Sequence, residues 1–336
     1  MTSISQAKRY IVCLGELLID FVPEVSGQPL SDVAAFRKAA GGAPANVAAA
    51  VAKLGGASRF IGKVGRDAFG QFLRGTLEAA GVEARLAVTD TAQTGLAFVS
   101  LREDGERDFL FYRAPAADML LEAQELDAAW FADAAVYHFG SVSLIAEPSR
   151  SATLEGARRT REAGGLVSYD PNLRPALWPD ADTMRREALA HIGAADVVKV
   201  GEEELRFLAE TDDAAEAERR LLARGTQALV VTLGSEGCRV VTSSRAGEVV
   251  SITVSGVPVQ AVDTTGAGDS FVGAMLHGLV QRGITPTRLA ECLADEATVR
   301  GLFAFANRVG AITTTRRGAI PALPTLAEVE AFGGEA

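Results

Sequence analysis

The chain has 336 residues and a formal net charge of −10, from 33 lysines and arginines against 43 aspartates and glutamates. That balance excludes broad binding to nucleic acid or to an anionic membrane surface, but not a small anionic ligand held by local donors. Hydrophobic residues make up 48% and charged residues 23%, which excludes a disordered chain, and a chain this long buries roughly 75% of its unfolded surface without disulfide or metal staples.

Tyr10–Leu14 reads as a first strand, buried on both faces. Glu16 and Asp20 interrupt the apolar run that it begins, so the run is neither a signal peptide nor a membrane span. Residues 20–37 carry Pro23, Gly27 and Pro29, which argue for an extended piece and against a helix. Pro44 stands where a first helical turn begins, and 45–54 continues as a helix closed by Gly55-Gly56. A strand over 59–64 and a helix over 67–80 follow, with Gly81 as C-cap. Residues 95–101 and 107–112 are strand-like and flank Glu103-Asp104-Gly105-Glu106, whose Asp-Gly pair predicts a hairpin turn. Strands over 136–139, 166–169, 197–200 and 229–232 then alternate with helical patterns such as 149–163 and 203–208. An extended piece over 256–262 leads into a helix running from Asp269 to about Arg282.

This alternation predicts an α/β fold with a mainly parallel central sheet and helices on both faces. The two extended insertions, at about 20–38 and 93–114, predict a small accessory sheet: a lid over a site, a dimer surface, or both. Neither repeats nor a linker divide the chain, so residues 1–336 read as one domain. Cys13, Cys238 and Cys292 are odd in number and far apart, which suits buried thiols in a reducing compartment. His138, His191 and His277 are isolated and lack metal-ligand spacing. The expected location is the cytoplasm.

The stretch Asp263-Thr264-Thr265-Gly266-Ala267-Gly268-Asp269 carries the chemistry. Two glycines before a helix let the backbone turn with its amides facing one space, where the helix N-terminus adds unpaired N–H groups and its positive dipole end. An anion hole results, with the Asp269 carboxylate at its edge, placed to take a proton from a hydroxyl. On local physics alone, Asp269 as a plain helix cap remains open. The stretch is neither a Walker loop, lacking Gly-Lys-Ser/Thr, nor a dinucleotide fingerprint, lacking the third glycine.

That stretch resembles the C-terminal signature of the ribokinase-like sugar kinases, the phosphofructokinase-B-type family. Gly41-Gly42-Ala43-Pro44-Ala45-Asn46 is similar to the N-terminal signature. Segments between them, such as Ser168-Tyr169-Asp170-Pro171-Asn172-Leu173-Arg174, resemble the fructokinases of that family. The resemblance implies a ribokinase-like fold with a β-sheet lid. It gives Asp269 the role of catalytic base, and the amides of Gly266, Ala267 and Gly268 that of an anion hole. It assigns the sugar to Asp20, Gly41, Gly42, Asn46, Arg113, Asp118 and Arg174. The nucleotide falls to Lys199, Glu202, Thr232, Gly234, Gly237 and Asn307, and a monovalent cation to Asp263 and Thr265. Many relatives carry Asn-x-x-Glu where this chain has Lys199-Val200-Gly201-Glu202, so by the resemblance Lys199 stands in for the Asn and Glu202 keeps the carboxylate.

The implied activity is ATP-dependent phosphorylation of D-fructose to fructose 6-phosphate with Mg2+, and with K+ as a further cofactor. The implied partners are sugar and ATP, and a second copy of the chain docked through the lid. Rival readings are a 2-keto-3-deoxygluconate kinase, a ribokinase or nucleoside kinase, and, from a different class, a non-catalytic sugar or nucleotide sensor.

Overall fold

The computed structural model describes residues 9–25, 27–101, 107–243 and 249–333. The first half contains β1 (Tyr10–Leu14), β2 (Leu18–Pro23), β3 (Phe36–Gly41), α1 (Ala43–Lys53), β4 (Ser58–Gly65), α2 (Ala68–Ala79), β5 (Glu83–Thr89), β6 (Leu96–Leu101), β7 (Arg107–Tyr112) and β8 (Ala134–Gly140). There follow α3 (Ser149–Glu162), β9 (Leu166–Asp170), α4 (Ala181–Ala190), β10 (Val197–Gly201), α5 (Glu202–Ala209), α6 (Ala214–Leu222), β11 (Ala228–Thr232), β12 (Gly237–Ser243) and β13 (Val249–Ser255). The chain closes with α7 (Ala267–Gln281), α8 (Leu289–Ala294), α9 (Glu296–Thr314) and α10 (Leu326–Gly333).

Nine strands form the large sheet in the order β13-β12-β11-β10-β9-β8-β1-β4-β5. From β5 to β11 the pairs are parallel, while β12 and β13 return antiparallel at one edge. Alternate residues of one strand serve opposite faces. Ile11 and Cys13 join the core under α1, α2, α7 and α9, whereas Val12 and Leu14 join the core under α3, α5 and α6. Being buried on both faces is why these strands read as unbroken apolar runs. Cys13 and Cys238 are buried free thiols, and Cys292 is half-buried.

The two extended insertions meet in one four-stranded sheet, ordered β3-β2-β6-β7, in which only β2 and β6 run parallel. The expected turn at Glu103–Glu106 lies outside the described residues. One predicted strand is displaced. The strand before the helix is β13, and residues 256–262 are irregular. The β12–β13 pairing ends at Ser255, after which Gly256 packs against the Ser235 carbonyl and Pro258 has no N–H to give a ladder.

Among the described residues no helix is long and apolar enough to cross a membrane.

Candidate active site

Two cavities open at the C-terminal ends of the large sheet's strands, where open α/β sheets place ligands. The first, of about 540 Å³, is lined by Glu16 after β1, Ser141 after β8, residues 171–175 after β9 and Lys199 on β10. Leu18 and Asp20 of β2 and Phe111 of β7 also line it, so the small sheet supplies one wall. The second, of about 560 Å³, is lined by Thr232, Gly234 and Gly237, by the irregular 256–261 segment, and by Asn307, Gly310 and Thr314 of α9. The two cavities share Thr264 and Gly268. They therefore meet at the glycine turn that opens α7.

Gly266 takes the N-cap position of α7 with φ of 75°, a left-handed conformation that glycine adopts without steric cost. Asp269 sits one turn in, on the first cavity, and so is not the helix cap. Asn46 Nδ2 donates to its Oδ2 at 2.8 Å, and Asn172 Nδ2 reaches its Oδ1 at 3.4 Å. Burial raises the Asp269 carboxyl above the ordinary aspartate pKa. The Asn46 hydrogen bond opposes this, the Asp170 carboxylate adds to it, and the positive charges of Arg174 and Lys199 oppose it. Lys199 Nζ pairs with Asp170 Oδ2 at 3.1 Å, and a Cβ on Gly268 would lie 3.4 Å from that ammonium. Burial alone would lower the Lys199 pKa, but the Asp170 and Glu204 carboxylates more than compensate and hold it charged.

At the other end of the cavity, a Cβ on Gly41 would fall 2.2 Å from Asp20 Oδ2, so only glycine leaves room for that carboxylate. Gly42 has φ of 115°, and a Cβ there would meet the Glu16 carbonyl at 2.2 Å.

An acid and an ammonium thus stand at the junction of two cavities, one of them walled with carboxylates and amides. The model for "pfkB family carbohydrate kinase" matches residues 8–326. The chain belongs to the pfkB family of carbohydrate kinases. Its relatives include "Probable fructokinase-4" of Arabidopsis thaliana, 49% identical over 334 residues and 99% of each chain. Among solved structures, the fructokinase of Xylella fastidiosa with bound ATP superposes with a TM-score of 0.88 at 41% identity, covering 98% of this chain and 99% of that one. The fructokinase of Vibrio cholerae O395, solved with fructose, ADP and calcium ion, has a TM-score of 0.83 at 35% identity, covering 97% and 99%. A double mutant of that enzyme was solved with fructose, ADP and potassium ion.

In this sugar kinase Asp20, Gly42, Asn46, Arg174, Gly266, Gly268 and Asp269 line the first cavity, and Thr232, Gly234, Gly237, Ala267 and Asn307 line the second. Asn307 Nδ2 donates to the carbonyls of Val254 and Ser255 at 3.1 and 3.0 Å. The Ala267 N–H turns back onto Thr264 O at 3.2 Å. Other residues fall elsewhere. Lys199, expected beside the nucleotide, lines the first cavity. Arg113 and Asp118 are buried against each other in an ion pair and line neither cavity. Glu202 pairs with Arg206 on the outside of α5. The inward carboxylate is Glu204, whose oxygens accept the N–H groups of Leu173 at 2.7 Å and Gly201 at 2.8 Å. Helical spacing explains the exchange, because residues two apart on a helix face different directions. Asp263 Oδ1 accepts from Thr265 N and Oγ1 at 2.9 and 2.6 Å, and its Oδ2 accepts from Gly318 N at 2.8 Å.

Motif reading gave no role to Glu16, Ser141, Asp170 or Glu204. Glu16, Asp170 and Glu204 belong to segments visible in sequence, whereas Ser141 lies just beyond a predicted strand; only the fold shows which way each one points. His138 bonds Ser168 inside the sheet, and burial pushes its pKa down to about 3, so it is a neutral structural residue.

Proposed function

We propose that this kinase transfers the γ-phosphoryl group of ATP to the 6-hydroxyl of D-fructose, with Asp269 as general base. The observation that carries the reading is the half-buried Asp269 carboxylate beside the junction of two cavities, in the first turn of a helix that opens on a glycine turn. ATP occupies the second cavity with its terminal phosphate over the 266–268 turn, and the sugar occupies the first. The hydroxyl oxygen forms the new bond to phosphorus, the bond from phosphorus to the β-phosphate oxygen breaks, and the hydroxyl proton passes to Asp269. Charge on the transferring group is met by the amides of Gly266 and Gly268, the α7 dipole and the Lys199 ammonium, the Ala267 N–H being held by the Thr264 carbonyl. Full-length similarity to fructokinases supports fructose as acceptor. Asp20 suits a polyol, because one carboxylate accepts two hydroxyl hydrogens. Arg174 in the same cavity keeps a second acceptor in view, the carboxylate-bearing 2-keto-3-deoxygluconate.

Among the described residues no cluster of three or more His, Cys, Asp or Glu could hold a metal ion unaided. Magnesium would be held chiefly by the nucleotide's own phosphates, as is usual for that ion. Such an ion would supply charge neutralisation at the phosphates of the nucleotide. The oxygen-rich 263–265 loop is the proposed potassium site, and activity unchanged after exhaustive removal of potassium and its mimics would dismiss it. The small sheet closes over the sugar and excludes water that would otherwise consume ATP. Its outer face, with Leu110 46% and Tyr112 60% exposed, docks a second copy of the chain.

A panel of sugars incubated with ATP, read by ADP release and product mass, tests the assignment. Fructose 6-phosphate is expected, and clear preference for ribose or keto-deoxygluconate overturns it. Asp269→Asn should lose about 10²–10⁴-fold in kcat while still binding ATP. Near-normal turnover in that variant would remove the base from Asp269.

A further inference from the structure

We infer that Asn172 is a positioning residue of this kinase. From a left-handed backbone its side-chain amide, together with that of Asn46, fixes the orientation of the Asp269 carboxylate. The inference rests on Asp269 being the base.

Asn172 has φ of 43°, and among the described residues Glu210, at a helix C-terminus, is the only other non-glycine residue with positive φ. Asparagine tolerates this region better than most residues, but glycine enters it at no cost. A turn needing only the backbone would be served as well by glycine, so the side chain calls for a reason. The segment around it is held at successive positions. Asn172 N–H donates to Asp170 Oδ1 at 3.1 Å, and Leu173 N–H donates to Glu204 Oε1 at 2.7 Å. Arg174 Nη1 donates back to the carbonyls of Asn172 and Leu173 at 3.2 and 3.0 Å.

From this fixed loop Asn172 Nδ2 reaches Asp269 Oδ1 at 3.4 Å, while Asn46 Nδ2 takes Oδ2 at 2.8 Å from α1. Two amides on two different elements therefore approach the two oxygens of one carboxylate. Each oxygen keeps lone-pair capacity for an acceptor hydroxyl, but the plane of the group is set. The charged groups around it are Asp170, Arg174 and Lys199. None of the three makes a direct hydrogen bond to Asp269 in this structure, so the amides hold it where charge alone would not.

Asn172→Gly separates the two explanations, since glycine keeps the left-handed turn and deletes the amide. The expected result is a kcat lower by about tenfold to a hundredfold, the scale of a small misplacement at a reacting centre. The acid limb of kcat/KM should move to higher pH, because the carboxylate loses a donor that favours its charged form. KM for ATP and the unfolding midpoint should stay near wild type. Asn172→Asp keeps the size, removes the donor and adds a like charge beside Asp269, and should move the acid limb further than Asn172→Gly does. Wild-type kcat and an unmoved limb in Asn172→Gly would make residue 172 a backbone device and overturn the inference. A general loss with ATP binding also gone would overturn it too, as loop damage. Carbon-13 titration of the Asp269 carboxyl in both proteins reads the clamp without turnover. If the wild type phosphorylates no sugar yet the titration differs, the kinase reading fails and the clamp stands. If sugar is phosphorylated and neither the limb nor the titration moves, the clamp fails alone.

Discussion

Glu16 shows how little a residue's role follows from its type. In sequence it is a charge that interrupts an apolar run. In the fold it is buried in the wall of the first cavity, its Oε1 accepting the Ala43 N–H at 2.8 Å. Burial raises its pKa to about 7; Arg113 works against that shift and Asp118 adds to it. A raised acid makes the native state hold its proton more tightly than the unfolded chain. Glu16 therefore lowers stability progressively as pH rises from its ordinary carboxylate value to about 7, and by a constant amount above that. Glu16→Gln keeps an acceptor for Ala43 N–H and cannot ionise. Its stability relative to wild type should grow between pH 5 and pH 8, approaching roughly 3 kcal/mol, as measured by urea unfolding. A difference that does not change with pH would refute the assignment. The sign could not be read from sequence, because it depends on desolvation.

At the scale of elements, the contact of α1 with α7 sets the site. Asn46 lies on α1 and Asp269 on α7, so the spacing of the helices decides whether their side chains meet. The alanine-rich α1 and Gly273 of α7 allow a close approach, and a Cβ on Gly273 would lie 2.6 Å from Ala50 Cβ and 3.0 Å from Val47 O. Gly273→Ala should therefore destabilise the protein by about 1–3 kcal/mol through overpacking, although alanine is favoured in a helix by about 1 kcal/mol. It should also lower kcat, because parting the helices stretches the Asn46–Asp269 bond. Urea unfolding and steady-state kinetics check both effects, and a variant as stable and active as wild type would sink the account. Both helices are predictable from their periodicity and glycine signals. Their mutual distance is not, because it is set by side chains far apart in the chain.

For the whole molecule, the small sheet has two distinct faces. It walls the first cavity on one face and presents Leu110 and Tyr112 on the other. Beside them on the same face Phe98 stacks on Phe21 with ring centroids 4.8 Å apart and meets Tyr112 edge-on at 5.6 Å. If that face docks a second copy, sedimentation should show a dimer that Leu110→Glu with Tyr112→Lys converts to monomer. A wild-type monomer at micromolar concentration would dismiss the dimer and leave the sheet's place in the wall of the first cavity unaffected. The net charge of −10 also acquires a place at this scale. Positive charge gathers where a phosphate would sit, at Lys199 and Arg174 beside the α7 N-terminus.

The sequence by itself determined the alternating α/β pattern and the glycine turn before α7, and its motifs singled out Asp269, Asn46 and Asp20, which line one cavity. These are local properties: periodicity, glycine at a positive-φ turn, and ordered motifs. Tertiary structure alone decided that Lys199 faces the first cavity, that Glu204 and not Glu202 points inward, and that Arg113 and Asp118 satisfy each other. Those outcomes depend on which strand end lies beside which helix turn, and on how burial redistributes charge among residues that sequence keeps apart.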